Sequence, residues 1–574
     1  MISPRKAVIR MQEYKPPTSG RENSLRLDFN ENTVGCSPKV IKALSRIRKN
    51  IFSVYPEYEA LKKEIAKYCN ISPGEVIATN GTDEAIKTII EVYSEKRKDE
   101  IIIPVPTYAM FKFYAELNEA VIREVLYNED LSFPTSRLLS AINKKTKIVV
   151  LVNPNNPTGT SIKKEEIKKI IEKAGKFGAL VLIDEAYYQF YGKSSIQLIK
   201  KYDNLFVTQT FSKVLGLAGL RLGYIASNEK NISVVQKALS PYSVNVFAAI
   251  CSAAALNDKE YIKKYISEIK KGKSMLYREL KNLGIKYCKS DANFVLLRIE
   301  KNSSYFCKRL KDEGILVRNR SSDPLLDGCV RVTLGTVKQT RQFICRLKEI
   351  IKEINPVLIF DIDGVLVDVS KSYRAAIQKT CEYFANSQVS SKEIQNYKNK
   401  GGLNNDWDLT EAIIRAKGVY VKKEKIIRKF QQFYGKLKNK EKWMLKKKIL
   451  EQLSKKYRLA ILTGRPRKEA ACVLRKNGAT RYFKIIVAME DVSKQKPNPE
   501  GFLKILKNPN RENAFYFGDT IDDMKAAVLA NINAVGVLPP QDKSAFLKNI
   551  LSKNGAIRVL DSINELEGEL NENL

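Results

Sequence analysis

The chain contains no histidine among its 574 residues. Glutamine, whose codons share their first two bases with those of histidine, occurs throughout, so base composition does not account for the gap. The absence excludes a wide range of chemistry, because no imidazole can act as general base, nucleophile or metal ligand. Catalysis must run on lysine, aspartate, tyrosine and bound cofactors. Long apolar runs are also missing, and none approaches the length that spans a bilayer. The opening MISPRKAVIRMQEYKPP lacks the apolar segment of a secretory signal. The nine cysteines stand singly with no CxxC pair, which predicts reduced thiols in a cytoplasm. Acidic residues are scarce beside basic ones, 63 against 100, for a net charge of +37. That balance raises a nucleic-acid partner. Yet no zinc finger, RNP motif or Arg/Gly tail accompanies it, and the basic residues spread over nearly every helix-like segment. The charge reads as Lys-rich surfaces of the kind thermophiles carry, with a field that attracts phosphorylated substrates.

What is present describes a globular chain. Its length, with 44% hydrophobic and 28% charged residues, predicts three or four compact units rather than one. Runs at 76–79, 101–104, 147–152, 179–183 and 205–208 read as short buried strands, separated by helix-like stretches, with polar residues gathered at the strand ends. This predicts an α/β fold with a mostly parallel sheet, which binds ligands where its strands end. The stretch TFSKVLGLAGLRLGY, residues 210–224, lies at one such end. Lys213 there can hold an aldehyde cofactor as a Schiff base, with Thr210, Ser212 and Arg221 around that cofactor's phosphate. Asn80-Gly81-Thr82-Asp83-Glu84, opening a helix after a strand, offers free backbone N–H groups to an anion. The same residues also make an ordinary N-cap.

These segments, in order with NPNNPTG at 153–159, DEAY at 184–187 and an arginine in CVRVTLGT at 329–336, resemble the fold-type I pyridoxal-phosphate aminotransferases over about residues 5–354. The opening LDFNEN and the NGTDEAI segment resemble the histidinol-phosphate aminotransferases among them. The resemblance implies a first domain at 1–354, with a large part at about 41–244 and a small part drawn from both ends. It implies that Lys213 carries pyridoxal 5'-phosphate and shuttles a proton, that Asp184 pairs with the ring nitrogen, that Asn156 and Tyr187 bond the phenolic oxygen, and that Tyr108 stacks on the ring. Thr82, Asp83, Thr210, Ser212 and Arg221 would surround the phosphate. Tyr55 would reach the phosphate of a partner subunit, which implies a homodimer. Arg331 matches the arginine that clamps the donor's carboxylate, and its planar fork suits a phosphate equally. Arg318, Arg320, Asn293 and Tyr14 are candidate helpers, with surface charges or loop caps as the other reading. Thr33 and Cys36 stand where the family pattern has proline. They bear on the choice between histidinol phosphate and an aromatic amino acid rather than on the reaction type.

An amphipathic helix predicted over 340–354 is broken by Asn355-Pro356. A strand at 357–360 then ends in DIDGVLVD (361–368), one at 459–462 in TGR (463–465), and one at 514–517 in GDTIDD (518–523), with KQKP (494–497) in a loop. Alone, DxDG also reads as a calcium loop. The four motifs in this order resemble the haloacid dehalogenase superfamily over about 355–574, a Rossmann-like core with a helical cap at about 369–454. The resemblance implies that Asp361 attacks phosphorus and forms an aspartyl-phosphate, and that Asp363 serves as acid and then base. It places Thr463 and Lys496 on the phosphoryl oxygens and Mg²⁺ between Asp361, the Asp363 carbonyl and Asp519, with Asp523 in or just outside its shell. Aspartate at 363 implies a phosphatase or phosphomutase. The basic and aromatic run 422–443 is either a solvated face of the cap or part of substrate capture.

Taken together, the two resemblances imply a cytoplasmic enzyme of histidine synthesis. One half would transaminate between L-histidinol phosphate with 2-oxoglutarate and imidazole-acetol phosphate with L-glutamate. The other would hydrolyse a phosphomonoester, L-histidinol phosphate being the preferred reading. A chain that makes histidine gains from spending none. The alternative is an aromatic-amino-acid aminotransferase joined to a phosphatase for phosphoglycolate or a sugar phosphate. An alternative of another class is a basic nucleic-acid-associated protein.

Overall fold

The computed structural model describes residues 2–13, 20–398, 401–403, 405–506 and 513–566. The chain divides into two compact units, Met1–Ile350 and Ile351–Leu574, where length alone predicted three or four. Among the described residues no helix is long and apolar enough to cross a membrane.

The first unit is built on seven strands, β1 Val76–Thr79, β2 Glu100–Val105, β3 Val121–Leu126, β4 Thr146–Val152, β5 Leu180–Asp184, β6 Leu205–Thr210 and β7 Gly223–Ala226. They lie in the order β1-β7-β6-β5-β4-β2-β3. All pairs are parallel except those of β7, which runs antiparallel to both β1 and β6. The central strands TKIVVLV and LVLID are buried almost throughout. A parallel sheet covered on both faces needs continuous apolar strands rather than alternating ones. Two strands lie outside the sequence expectation. Edge strand β3, VIREVL, is largely exposed, and its charges break the apolar run. Strand β7, GYIA, begins inside the stretch read for its chemistry and runs two residues past it.

A second, antiparallel sheet comprises β8 Tyr287–Cys288, β9 Phe294–Arg298, β10 Arg318–Asn319 and β11 Cys329–Thr333, in the order β10-β11-β9-β8. Its register sets Arg318 opposite Arg331. Near the start of the chain, Leu25–Arg26 pairs in parallel with Ile315–Leu316. Thr333 then donates its N–H to the Leu27 carbonyl at 2.8 Å. The early loop through Asn30 is thereby tied to the second sheet.

The second unit has six parallel strands, β12 Val357–Phe360, β13 Arg458–Leu462, β14 Phe483–Val487, β15 Ala514–Gly518, β16 Asn533–Val537 and β17 Ala556–Leu560. Their order is β14-β13-β12-β15-β16-β17. Strand β12 lies between β13 and β15, so the residues that follow all three, Asp361, Thr463 and Asp519, emerge side by side. Four helices, Tyr373–Ala385, Ser391–Lys398, Asp406–Ala416 and Lys423–Leu437, lie between the paired segments Val367–Asp368 and Lys442–Trp443. Their buried faces, with Ile377, Ile413 and Phe430, share one apolar cluster with Leu358, Leu459 and Phe517 of the sheet. Helix Lys423–Leu437 buries Ile426, Phe430 and Tyr434 at fourfold spacing and leaves Lys423, Lys425 and Lys436 exposed. Of the two readings of the basic run, this helix shows the solvated face.

Candidate active sites

A cavity of about 490 Å³ opens where β1, β4, β5 and β6 end. That volume suits a small cofactor together with a substrate. Strand β5 delivers Asp184, which is 3% exposed. Its carboxylate accepts the Ala186 N–H at 3.1 Å, and the Thr208 hydroxyl lies 3.5 Å away. Burial pushes its pKa up to about 7. Just past β6, Lys213 reaches into the same cavity. Its Nζ donates to the Phe29 carbonyl at 3.0 Å and lies 5.7 Å from the centre of the Tyr187 ring. The Tyr187 hydroxyl accepts from Asn30 Nδ2 at 2.9 Å. Asn156 Oδ1 accepts from Arg331 Nη1 at 2.5 Å, and Arg331 Nη2 donates to the Asp28 carbonyl at 2.5 Å.

At the β1 end, helix Gly81–Tyr93 starts without a side-chain cap from Asn80, so its first N–H groups are open to an anion. Gly81 has φ +75°, and a Cβ there would stand 2.8 Å from Arg221 Nη2. Glycine thus lets the helix start and the arginine converge. Arg221 donates to Asp83 Oδ2 at 2.9 Å, and the Tyr108 hydroxyl donates to Asp83 Oδ1 at 2.8 Å. The Thr210 and Ser212 hydroxyls lie 3.0 Å apart. Thr82 completes this end of the cavity wall.

Arg318 and Arg320 line the cavity with Arg331. Arg318 lies 5.9 Å from the Phe29 ring centre, and Arg320 pairs with Asp323. Asn293 does not join them. It is fully buried and donates to the Asn30 carbonyl at 3.1 Å, which makes it a support for the early loop. Tyr55 is 74% exposed and stacks on Tyr242 at 4.3 Å between ring centres, outside the cavity wall. Tyr14 lies outside the described residues. Phe29 and Asn30 were missed as site residues. LDFNEN marks their place, but an extended stretch entering a turn gives no sign of which side chains face a cavity.

The second site gathers four aspartates and a lysine. Asp361, after β12, accepts the Ile362 N–H on Oδ1 at 2.8 Å and Lys496 Nζ on Oδ2 at 3.2 Å. Lys496 also donates to Asp523 Oδ1 at 2.6 Å and to the Tyr516 hydroxyl at 2.8 Å. The Tyr516 hydroxyl in turn donates a hydrogen bond to Asp523 Oδ1 at 2.7 Å. The other oxygen of Asp523 accepts the N–H and hydroxyl of Thr520 at 3.0 and 2.7 Å. Each oxygen of Asp523 thus takes two hydrogen bonds. Carboxylate oxygens of Asp361, Asp519 and Asp523 all lie within 4.8 Å of one another. Gly364, at φ +75°, makes room for this, since a Cβ there would stand 2.0 Å from Asp519 Oδ2.

Burial pushes Asp361 up to about 7, against the pull of Lys496. It pushes Asp519 well above its ordinary value, with Asp523 adding to the rise. Burial also works to raise Asp523, but the Lys496 ammonium and the hydrogen bonds outweigh it and leave its pKa below the ordinary value. With all three carboxylates ionised, the single ammonium would leave an excess of negative charge that a cation would balance.

Asp363 meets a different partner. Arg465 donates to its Oδ1 from Nε at 2.7 Å and from Nη2 at 2.5 Å. Arg465 is 1% exposed, pairs with Glu441 at 3.1 Å and lies 4.7 Å over the Tyr373 ring. The Thr463 hydroxyl accepts the Arg465 N–H at 3.2 Å, so here it shapes the Thr-Gly-Arg turn and does not line the cavity. The cavity measures about 40 Å³, which is room for a water or two. Asp361, Asp363 and Asp519 wall it from the core, and Arg374, Lys398 and Trp407 from the helical layer. No residue of 422–443 lines it. Arg465, Glu441, Tyr516 and Arg374 were missed. Arg374 carried a usable signal, an arginine on the apolar face of a helix with Tyr373, Ala376 and Ile377.

Residues 22–347 match the family model of class I and II aminotransferases, and residues 358–537 match that of haloacid dehalogenase-like hydrolases. The chain belongs to the class I and II aminotransferases, with a haloacid dehalogenase-like hydrolase domain joined after it. Within that class the first unit is similar to histidinol-phosphate aminotransferases. The one from Caldanaerobacter subterraneus subsp. tengcongensis is 37% identical over 334 residues, 57% of this chain and 93% of the relative. The one from Christiangramia forsetii is 36% identical over 301 residues, 52% of this chain and 85% of the relative. Among solved structures, the histidinol-phosphate aminotransferase of Clostridium acetobutylicum aligns with a TM-score of 0.54 at 28% identity, covering 57% of this chain and 98% of that one. The Sinorhizobium meliloti enzyme in complex with pyridoxal-5'-phosphate shares the fold, at a TM-score of 0.56 and 24% identity, covering 62% of this chain and 99% of that one.

Proposed function

We propose that the first unit transaminates L-histidinol phosphate with 2-oxoglutarate. The observation that carries this is the meeting, in one cavity, of the Lys213 amine, the desolvated Asp184 and the Arg221 cluster at a helix start. These residues fit pyridoxal 5'-phosphate. A buried carboxyl with its pKa near 7 suits a protonated ring nitrogen. Arg221, Thr210, Ser212 and the N–H groups at Thr82 and Asp83 suit a phosphate, and Asn156 and Tyr187 suit a phenolic oxygen. When bound, the cofactor supplies the electron sink for proton removal beside the amine. Lys213 takes and returns that proton at Nζ, and Tyr108 covers the ring. Arg331, with Arg318 and Arg320 beside it, holds the anionic end of each substrate. That end is a carboxylate for glutamate or 2-oxoglutarate and a phosphate for histidinol phosphate. The similarity to histidinol-phosphate aminotransferases supports this substrate over an aromatic amino acid. Phe52, Val54, Tyr55 and Tyr242 expose apolar surface together, which supports a homodimer in which Tyr55 enters the partner's phosphate site.

The second unit, in this reading, hydrolyses a phosphomonoester with Mg²⁺. The buried carboxylates fit a hard divalent cation, which when bound offsets repulsion between carboxylate and phosphate. Asp361 and Asp519 would hold it with the Asp363 carbonyl, while Asp523 fixes Lys496. Asp361 attacks phosphorus as the bond to the substrate's alkoxide oxygen breaks, and Asp363 gives that oxygen a proton. Asp363 then takes a proton from a water whose oxygen bonds to phosphorus, and the bond from Asp361 to phosphorus breaks, releasing phosphate and the free carboxylate. Lys496, 3.2 Å from the Asp361 carboxylate, attends the phosphoryl oxygens. L-histidinol phosphate is the proposed substrate, because both units would then act on one metabolite and the chain spends no histidine. Phosphate release from L-histidinol phosphate with Mg²⁺ tests it, beside Asp361→Asn. Release by the parent that falls at least about 10³-fold in the variant, with transamination intact, is the expected result. Turnover of phosphoglycolate or p-nitrophenyl phosphate without turnover of histidinol phosphate would remove histidinol phosphate from the second unit and leave the first-unit reading standing.

A further inference from the structure

One side chain in the wall of the second cavity lacks what its burial demands. Arg374 lies in the first turn of helix Tyr373–Ala385 and is 3% exposed. Its Nη2 donates to Gln395 at 2.6 Å. Its Nε and Nη1 are buried and reach no acceptor among the described residues. Unpaired buried donors weigh against stability, and more so on a charged group. Burial pulls the guanidinium's pKa down, and Asp519, Asp406, Asp542 and Asp363 pull it back up from a distance. Packing alone gives no reason for an arginine, since the same helix buries Ala376, Ile377 and Cys381. The other two cations of the wall are already engaged. Lys398 pairs with Asp406 at 2.9 Å, and Arg465 pairs with Asp363 and Glu441.

We propose that Arg374 is an oxyanion-binding residue of the hydrolase site, its Nε and Nη1 receiving oxygens of the incoming substrate. Those oxygens belong either to the phosphoryl group or to a second anionic group, a carboxylate or phosphate, on the same molecule. The proposal rests on the second unit being a phosphomonoesterase and adds the residue that reads the substrate's charge. The cavity is too small for a phosphomonoester, so the helical layer must part from the core for entry. Arg374 rides on that layer. It presents its donors when the layer opens and closes them onto the substrate when it returns. Such a group is unstable when empty and satisfied when loaded, which makes it an aid to binding rather than to folding.

The test compares the full-length chain with Arg374→Met and Arg374→Lys, in Mg²⁺, on p-nitrophenyl phosphate, L-histidinol phosphate and phosphoglycolate. Thermal unfolding is followed alongside. Arg374→Met is expected to raise KM about tenfold or more on at least one substrate, while the Tm of the hydrolase unit holds or rises because unpaired donors have gone. Arg374→Lys is expected to recover part of the loss. A rise shared by all three substrates assigns the donors to the phosphoryl group. A rise confined to phosphoglycolate assigns them to a second anion. Unchanged KM on all three, with Tm held or lowered, overturns the proposal and makes the arginine structural. Should Arg374→Met fail to fold, an unchanged KM in Arg374→Lys overturns it equally. Failure of the parent chain to turn over any of the three removes the phosphomonoesterase reading and the proposal with it.

Discussion

At the scale of the residue, Asp184 shows how burial writes a pH dependence into the protein. Its folded pKa is raised by burial to about 7, against an ordinary value of 3.8. Between those values the folded cofactor-free protein keeps a proton that the unfolded chain has lost. Stability contributed by this group therefore falls as pH rises from about 4 to about 7, and the loss is complete above that. Three pK units correspond to about 4 kcal/mol. A protonated ring nitrogen beside the carboxylate removes the penalty, so pyridoxal 5'-phosphate is expected to raise the Tm of the first unit more at pH 8 than at pH 5. Asp184→Asn is expected to flatten the cofactor-free profile over this window. Melting curves of both proteins from pH 4.5 to 8.5 decide it, and parallel profiles would refute the assignment.

At the scale of the element, the strand ends were legible because chemistry and chain direction coincide there. Apolar runs such as 147–152 and 357–360 stop abruptly at polar residues, and in a parallel sheet these stops face one side. Lys213, Asp184, Asn156, Asp361 and Asp519 were picked out this way, and each lines one of the two cavities. What the sequence hid is what arrives from a distance. Arg465 reaches Asp363, and Glu441 supports Arg465, across 102 and 24 residues respectively. Asn293 was proposed as a substrate helper, and its place could not be read from the sequence either, since its contact with the Asn30 carbonyl spans 263 residues. The start of helix Gly81–Tyr93 left two readings open, anion site or simple cap, and the missing side-chain cap with Arg221 alongside favours the first. Gly81→Ala would force a Cβ into a left-handed backbone and against Arg221. Affinity for pyridoxal 5'-phosphate is expected to fall about tenfold or more, with phosphatase activity unchanged. Absorbance titration of the cofactor measures this, and unaltered affinity would show that the helix start does not bind the phosphate.

At the scale of the whole molecule, two units of unlike topology solve the same problem. Each gathers charged groups at the ends of parallel strands, and neither uses an imidazole. The first unit's cavity contains every element the cofactor reading needs except Tyr55, whose ring is 74% exposed on the same chain. If Tyr55 serves a partner's site, a site needs Lys213 from one subunit and Tyr55 from the other. Lys213→Ala and Tyr55→Ala chains, each impaired alone, are then complementary. In a mixed dimer, one site carries both substitutions and the other carries neither. Unfolding and refolding an equal mixture is expected to recover about a quarter of the parent transaminase activity, since half the dimers are mixed and each holds one intact site. If Tyr55 acted within its own subunit, every site in the mixture would carry one lesion, and activity would not exceed the average of the two variants assayed apart. Recovery well above that average would establish both the dimer and the subunit that supplies the tyrosine.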